Sequence, residues 1–537
     1  YCSLFPAIAD PDAGNRREIV TTIAISTPHP VESHTGYTPP TQTHSRMGPN
    51  RRSRRAFTVG AIIALLVISG LASSVVVTSQ PAGPDTLEGD QATEPPGPTR
   101  HAERDENVTV AVVDSGIDDR HPDLRGRVVD RIDFTGEEPT HPETGTDEGG
   151  HGTYVAGAVA GSGAASDGEH AGVAPNASLV DVRIMEQSGY GSADAATIDS
   201  AIEYAVEEAD ADVILLSLNS VGADPEVIES RVGWAIDHGV VVVASAGNDG
   251  QLRGITTPGT TPGAITVGAG GEDGRLLNRS ARGPTADGAF KPELVAPGER
   301  ITVPRAGYTT TGDSGRAYAR VTGTSIAAAT VAGAAARLLE ADSGLSPAAV
   351  ERRLTSTARP ITPAAAGTNR TSGHVFGSGS GVLDIERALD PDVMSDGVVD
   401  LGVITDDEPV TRTIALANTD DQRHDLAFET TLQNVDTDAD ASESLTVNRS
   451  ELSLAPGEQV RIELTVADLS PGAHAGEIRY SIDGEPRSIA LGFVRGGTVT
   501  VEKRSLSASD RVDGDALLVF TENDTHSEAL EFESGTA

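Results

Sequence analysis

The chain of 537 residues contains a single cysteine, Cys2. That leaves no internal disulfide and no cysteine nucleophile in the body of the chain. Positive charge is scarce as well: Lys291 and Lys503 are the only lysines among 40 basic residues, set against 80 acidic ones. A chain so poor in basic residues has no footprint for nucleic acid. Aromatic residues make up 3%, so a core must be built from Ala, Val, Leu and Ile. What is abundant is acid, spread along the whole sequence, for a formal net charge of −40. Such a composition also suits a disordered acidic chain, but recurrent periodic apolar segments contradict that reading. Self-repulsion at this charge is severe in dilute buffer and largely screened near molar salt, where the Debye length is about 3 Å. A salt-adapted, halophilic protein is therefore expected. The length allows two to four domains.

Residues 1–46 are rich in Pro, Thr and His without sustained periodicity. They read as a disordered extension or an over-extended reading frame ahead of Met47. Arg51-Arg-Ser-Arg-Arg55 then precedes an uncharged apolar stretch from Ala56 to about Val77. A basic segment before an apolar run is an export signal, here of twin-arginine type. The run is close to the ~20 residues that span a bilayer, so residues 47–78 are expected to be a cleaved signal or a retained transmembrane anchor. Either way the remainder lies outside the cell, secreted or at the cell surface. Residues 79–106 form an acidic Pro/Gly linker.

From residue 107 the pattern changes. Val108–Val113, Ser178–Arg183, Val213–Leu218, Val240–Ala244 and Ala264–Val267 read as strands. Ala195–Ala209 and Pro225–His238 read as amphipathic helices. The alternation predicts an α/β domain over 107–392, a parallel sheet with helices on both faces. Three segments within it carry chemistry. Asp114 ends an apolar strand, where open α/β sheets place ligands. His151 stands between two glycines and opens a helix of small residues. Ser325, after Gly323-Thr324, opens a second small-residue helix running to about Glu340. In order these are an acid, a base and a nucleophile, the set needed for acyl transfer by an activated serine. Asn248 closes a strand before an Asp-Gly turn, and its amide suits an oxyanion donor.

The motifs Asp114-Ser-Gly-Ile-Asp118, His121-Pro-Asp-Leu124, His151-Gly-Thr153, Gly172-Val-Ala-Pro175, Ser245-Ala-Gly-Asn248, Lys291-Pro-Glu-Leu-Val-Ala-Pro-Gly298 and Gly323-Thr-Ser325 together resemble the subtilisin-like serine proteases (subtilases). The resemblance runs from about Val108 to Leu389. It implies that Asp114 orients the base, His151 is general base and then acid, Ser325 is the nucleophile, and Asn248 lines the oxyanion hole. It also implies a peptide groove that binds protein or peptide substrates as an added β-strand. Gly189, Tyr190 and Gly191 would form one side, Ser217, Leu218 and Asn219 the other, and Ser245, Ala246 and Gly247 a wall of the specificity pocket. No cofactor is implied for the chemistry. A structural calcium is implied as an option, with Asp123 where the family can place a ligand, although the loop Gly161 to Ala171 lacks the usual asparagine-bearing pattern. Thr257-Pro258 falls where the family often has a cis proline.

Some positions depart from the family pattern. Asn219 replaces a usual glycine, Tyr154 a usual histidine, and Ile326 a usual methionine, while Ala329 and Thr330 stand where Pro and His are common. The linker is also too short and polar for the folded propeptide common in the family. These departures favour an alternative, a weakly active subtilase-fold protein that binds peptides or envelope components.

Beyond Pro391 short alternating runs recur at Val398–Ile404, Thr411–Ala417, Asp425–Leu432, Gln459–Val466, Gly476–Ile482 and Ser488–Phe493. They predict a smaller all-β sandwich of fibronectin or immunoglobulin-like kind over 393–497, read as a structural spacer. Residues 498–537 start a further β segment.

Overall fold

In the computed structural model of the protein, the described residues are 107–185, 193–218, 224–271, 274–308, 316–361, 375–405 and 407–496. The backbone of four short strands, Ser3–Phe5, Thr21–Ala24, Thr498–Thr500 and Leu517–Phe520, is described too. The export or anchor segment 47–78, the linker 79–106, and Gly189, Tyr190, Gly191 and Asn219 lie outside the described residues. Among the described residues no helix is long and apolar enough to cross a membrane.

Seven strands form one sheet: β1 Thr109–Asp114, β2 Val128–Asp133, β3 Ser178–Arg183, β4 Val213–Leu216, β5 Val241–Ser245, β6 Ile265–Gly270 and β7 Leu294–Pro297. Their order is β2-β3-β1-β4-β5-β6-β7, parallel throughout. Most are buried on both faces, as an α/β sheet covered by helices requires. β2 and β7 escape the sequence reading. β2 carries Asp130, Arg131 and Asp133 among its apolar residues and is only partly buried. β7 is four residues long and ends in proline.

One face is covered by α1 (His151–Ala160) and α4 (Thr324–Ala341), whose alanines, valines and glycines pack in a single core with Val110, Val112, Val243 and Val267 of the sheet. The other is covered by α2 (Ala195–Glu207) and α3 (Pro225–Asp237). α2 buries Ile198, Ala201, Ile202, Ala205 and Val206, the i, i+3, i+4 stripe of an amphipathic helix, and begins where Asp194 accepts from the Thr197 N–H at 2.8 Å. Small residues in α1 and α4 let those helices approach closely. A Cβ on Gly157 would lie 2.3 Å from Pro304 Cδ, and one on Gly333 2.7 Å from Val173 Cβ. A hairpin, β8 (Ile301–Pro304) with β9 (Tyr318–Val321), packs on α1 and leads into α4. Thr257–Pro258 is cis, as are Gly283–Pro284 and Lys291–Pro292.

The chain then turns all-β. β10 (Val393–Ser395), β11 (Val398–Ile404), β12 (Val410–Asn418), β13 (His424–Ala427), β14 (Glu429–Asn434), β15 (Ala439–Asp440), β16 (Leu445–Val447), β17 (Glu451–Leu454), β18 (Gln459–Val466), β19 (Gly472–Ile482) and β20 (Glu485–Arg495) follow. They form a four-stranded sheet, β10-β12-β18-β16, a five-stranded one, β11-β20-β19-β14-β15, and the pair β13-β17. Ile414, Leu416, Ile462 and Leu464 of one large sheet share a core with Ile478, Ile489, Leu491 and Phe493 of the other. The run read as one strand over Asp425–Leu432 is two, which join different sheets.

This region packs directly on the α/β part. Phe290 and Phe376 of the α/β part share a buried cluster with Val435, Ala473, Ala475 and Ala490 of the β part. Their rings, 5.5 Å apart, lie on Gly492, where a Cβ would meet Phe290 at 2.2 Å and Phe376 at 2.8 Å. Asp400 accepts from the Phe290 N–H at 2.8 Å, and Asp436 pairs with Arg253 at 3.0 Å. Periodicity within strands carries no information about which outer surface is covered, so this packing was not legible in the sequence. Phe376→Ala should cost about 3–5 kcal/mol, read as a fall in urea midpoint. A loss below about 1 kcal/mol would return the β part to a passive attachment.

Candidate active site

The strand order reverses around β1: the chain winds to β2 and β3 on one side, then to β4 and onward on the other. Asp114 ends that strand and is 1% exposed. The turn after it requires Gly116, at φ +110°, where a Cβ would lie 2.3 Å from the Thr146 carbonyl oxygen. The first turn of α1 rests directly on that turn, because a Cβ on Gly152 would lie 2.1 Å from the Gly116 carbonyl oxygen. The close approach brings His151 Nδ1 within 2.8 and 2.9 Å of the two Asp114 carboxylate oxygens. Nδ1–H donates there, which leaves Nε2 as the free, basic nitrogen.

Asp147 holds this arrangement from below, and the sequence reading missed it. Its Oδ1 accepts from the Gly150 N–H at 2.7 Å and from Ser115 Oγ at 3.0 Å. Its Oδ2 accepts from the Thr153 N–H and hydroxyl at 2.8 and 2.7 Å. Ser115 Oγ in turn accepts from the Gly152 N–H at 3.0 Å. A carboxylate just before a helix satisfies orphan N–H groups and suits the macrodipole. The signal that could have found it was an Asp four residues ahead of a helix-opening His. Burial works to lower the His151 pKa, but the charge and hydrogen bond of Asp114, with the charge of Asp147, outweigh it and raise the value above the ordinary 6.5.

Ser325 lies in the first turn of α4, 9% exposed. That turn is tied to the ends of β4 and β5. Ser217 Oγ donates to the Ser325 carbonyl at 3.1 Å, and the Gly247 N–H donates to Thr324 Oγ1 at 3.3 Å. The Thr324 N–H donates to Asn248 at 3.0 Å. An N–H can only donate, so the Asn248 atom facing it is Oδ1, and Nδ2 is left to donate elsewhere. Asn248 thus both anchors the serine's helix and offers an amide beside it.

The residues expected to line a groove divide. Ser217 is at the site, its hydroxyl committed to α4. Leu218 is 5% exposed, its side chain in the core under α2 and α3. Ser245 ends β5, Ala246 extends the ladder by donating to the Val267 carbonyl at 3.0 Å, and Gly247 accepts from the Ala281 N–H at 3.0 Å. They form a pinned wall rather than a loose loop.

Both carboxylate oxygens of Asp123, the candidate calcium ligand, are engaged by donors. Its Oδ1 accepts from the Ala165 N–H at 2.8 Å and its Oδ2 from the Tyr318 hydroxyl at 2.8 Å. Burial, with the hydrogen bond and charge of Asp123, pushes the Tyr318 hydroxyl up to about 12, so it stays a donor. A cation needs several converging oxygen ligands, and the partners seen on this carboxylate are an N–H and a hydroxyl. Among the described residues no group of three or more His, Cys, Asp or Glu side chains is placed to hold a metal.

Asp181, on β3 beside β1, is a second buried carboxyl that the sequence reading did not single out. Burial pushes it up to about 8, the charges of Asp147 and Asp119 adding to the effect, while Ile117 and Arg131 act against it. Its Oδ1 has no hydrogen-bond partner. The folded carboxyl keeps its proton up to that pH, whereas the unfolded one loses it near 3.8. Between these values the folded state binds more protons, so this group makes stability fall as pH rises. Asp181→Asn should therefore leave the urea midpoint nearly unchanged at pH 4 and raise it at pH 8. An equal effect at both would remove the assignment.

A carboxylate–imidazole pair at a strand end, with a serine in the first turn of a helix on the same face of a parallel sheet, defines an Asp-His-Ser α/β protein. The family model described as "Peptidase_S8: Subtilase family" matches residues 105–379, just over half the chain. The chain belongs to the subtilase family. It is 35% identical over 272 residues to "Serine protease AprX" of Bacillus subtilis (strain 168), covering 46% of this chain and 60% of that one. It is 36% identical over 236 residues to the "Major intracellular serine protease" of the same organism, covering 43% and 67%. It is 36% identical over 247 residues to "Subtilisin" of Bacillus sp. (strain TA39), covering 43% and 56%. The chain thus spans between 56% and 67% of the length of these relatives.

Proposed function

We propose that this chain is a serine endopeptidase that hydrolyses peptide bonds through an acyl-enzyme on Ser325. The observation that carries the reading is the His151–Asp114 pair, at 2.8 and 2.9 Å, in a subtilase. Ser325 Oγ attacks the scissile carbonyl while His151 Nε2 takes its proton. Asp114 keeps the proton on Nδ1 and stabilises the imidazolium. Asn248 Nδ2 donates to the oxyanion as it forms. His151 then returns the proton to the leaving amine, and water, activated the same way, releases the acyl group. Substrates are proteins or peptides, held extended against the wall at Ser245 to Gly247. Labelling by a fluorophosphonate together with casein hydrolysis tests this. A protein that does neither at any salt concentration is not a peptidase.

The finer reading is an exported enzyme, secreted or at the cell surface, that works at high salt. The basic and apolar segments of 47–78 and a net charge of −40 support it. Mass spectrometry of the mature N-terminus tests export: a start shortly after Ala72 indicates cleavage and rules out a permanent anchor. Activity that is highest in dilute buffer would remove the salt adaptation.

A further inference from the structure

The β8–β9 hairpin and α1 enclose a cleft of about 690 Å³ lined by Tyr154, His170, Arg305, Arg316, Tyr318 and Arg320. Three arginines at one cleft are out of keeping with a chain whose net charge is −40. Elsewhere the described arginines commonly sit against carboxylates: Arg120 with Asp118, Arg131 with Asp119, Arg183 with Asp133, Arg231 with Asp199 and Arg253 with Asp436. Arg305, Arg316 and Arg320 have no carboxylate within ion-pair reach among the described residues. The nearby buried acid, Asp123, is held by the Ala165 N–H and the Tyr318 hydroxyl and forms no ion pair with any of the three. His170 adds a ring packed edge-on to Tyr318, with centroids 4.7 Å apart.

The cleft's frame is built. Gly307 N–H donates to Asp118 Oδ2 at 2.7 Å, and the Arg305 N–H to the Ala317 carbonyl at 2.9 Å. These bonds fix both strands of the hairpin near Arg305 and Arg316. Arg305, Arg316 and Arg320 are exposed at the rim of the cleft, where like charges gathered on a concave surface repel one another and focus a positive field outward. Guanidinium groups bind oxyanions through paired N–H donors.

We propose that this cleft is an anion-binding site, separate from the peptide groove, for a compact ligand with two or more carboxylate or phosphate charges. Bound, the anion bridges the hairpin to α1, through arginines on one side and Tyr154, one turn after His151, on the other. It removes the mutual repulsion of three cations and so stabilises the fold by mass action.

The test is the melting temperature of the full chain at constant ionic strength, with chloride exchanged for citrate or for inorganic phosphate. Citrate and phosphate raise Tm generally by exclusion from protein surfaces, so the comparison is with the triple variant Arg305→Gln, Arg316→Gln, Arg320→Gln. Fluorophosphonate labelling of Ser325 shows that the variant is folded. Wild type should gain roughly 5 °C in a saturable way at millimolar ligand, and the variant only a shallow, linear rise. Saturation by citrate alone identifies a polycarboxylate, by phosphate alone a phosphate group, and either supports the site. Identical curves for wild type and variant, or no saturable component with either anion, overturn it.

Discussion

Ser325→Ala should reduce turnover of a protein substrate by about 10⁶-fold, a factor measured on a subtilisin and carried here by kinship. The change removes one oxygen from a side chain that is 9% exposed. The bonds that hold α4 in place run through the Ser325 carbonyl, the Thr324 N–H and the Thr324 hydroxyl. None uses Ser325 Oγ, so the variant should fold as wild type and still bind peptide, and the loss should fall on kcat. Fluorophosphonate labelling should vanish. A variant that keeps more than about a thousandth of the activity would mean that another group is the nucleophile.

Asp114→Asn should cost about 10⁴-fold, by the tautomer argument known for this kind of triad. The geometry here gives that argument a local form. Asp114 Oδ1 also accepts from the Ser115 N–H at 2.7 Å, which holds an oxygen in that position after substitution. The new amide nitrogen then faces His151 Nδ1 and donates to it. The ring proton moves to Nε2, and the nitrogen that should deprotonate Ser325 has none of its basicity left.

The same substitution moves the pH profile. The working base is the neutral imidazole, and its pKa is raised in the wild type. The acid limb of kcat/KM should therefore lie above pH 6.5, with activity falling as pH drops through the limb. Asparagine removes both the charge and the charge-assisted bond of residue 114. Only Asp147 then opposes the lowering effect of burial, and the limb should shift to more acidic pH. An unmoved limb, or a loss under tenfold, would show that Asp114 is not the partner that tunes His151.

The candidate site was legible because its residues sit in short local contexts with strong backbone demands. Asp114 ends a run of valines, His151 is framed by glycines, and Ser325 and Asn248 stand where secondary structure changes. Strand and helix centres were legible for the same reason: burial on one or both faces leaves a period in the sequence. β2 and β7 were missed because one is half-exposed and charged and the other is too short to show a period. Asp147 left a capping signal that was present but unread.

The partner of Asp123 was invisible in the sequence because it comes from nearly two hundred residues away, the Tyr318 hydroxyl. Asp181 was invisible for a related reason, since one acid in a valine strand looks like any other until its neighbours are known.

By itself, then, the sequence determined the family, the parallel α/β core, the four candidate residues of the proposed reaction and a composition dominated by acid. All of these are encoded in residue type and short-range order. Tertiary structure alone decided that a β-domain is packed onto two phenylalanines of the α/β part, that Asp123 accepts from Ala165 and Tyr318, and that three arginines share one cleft. Each of those depends on which side chains from distant segments meet, and meeting is settled by packing and charge in three dimensions rather than by any pattern along the chain.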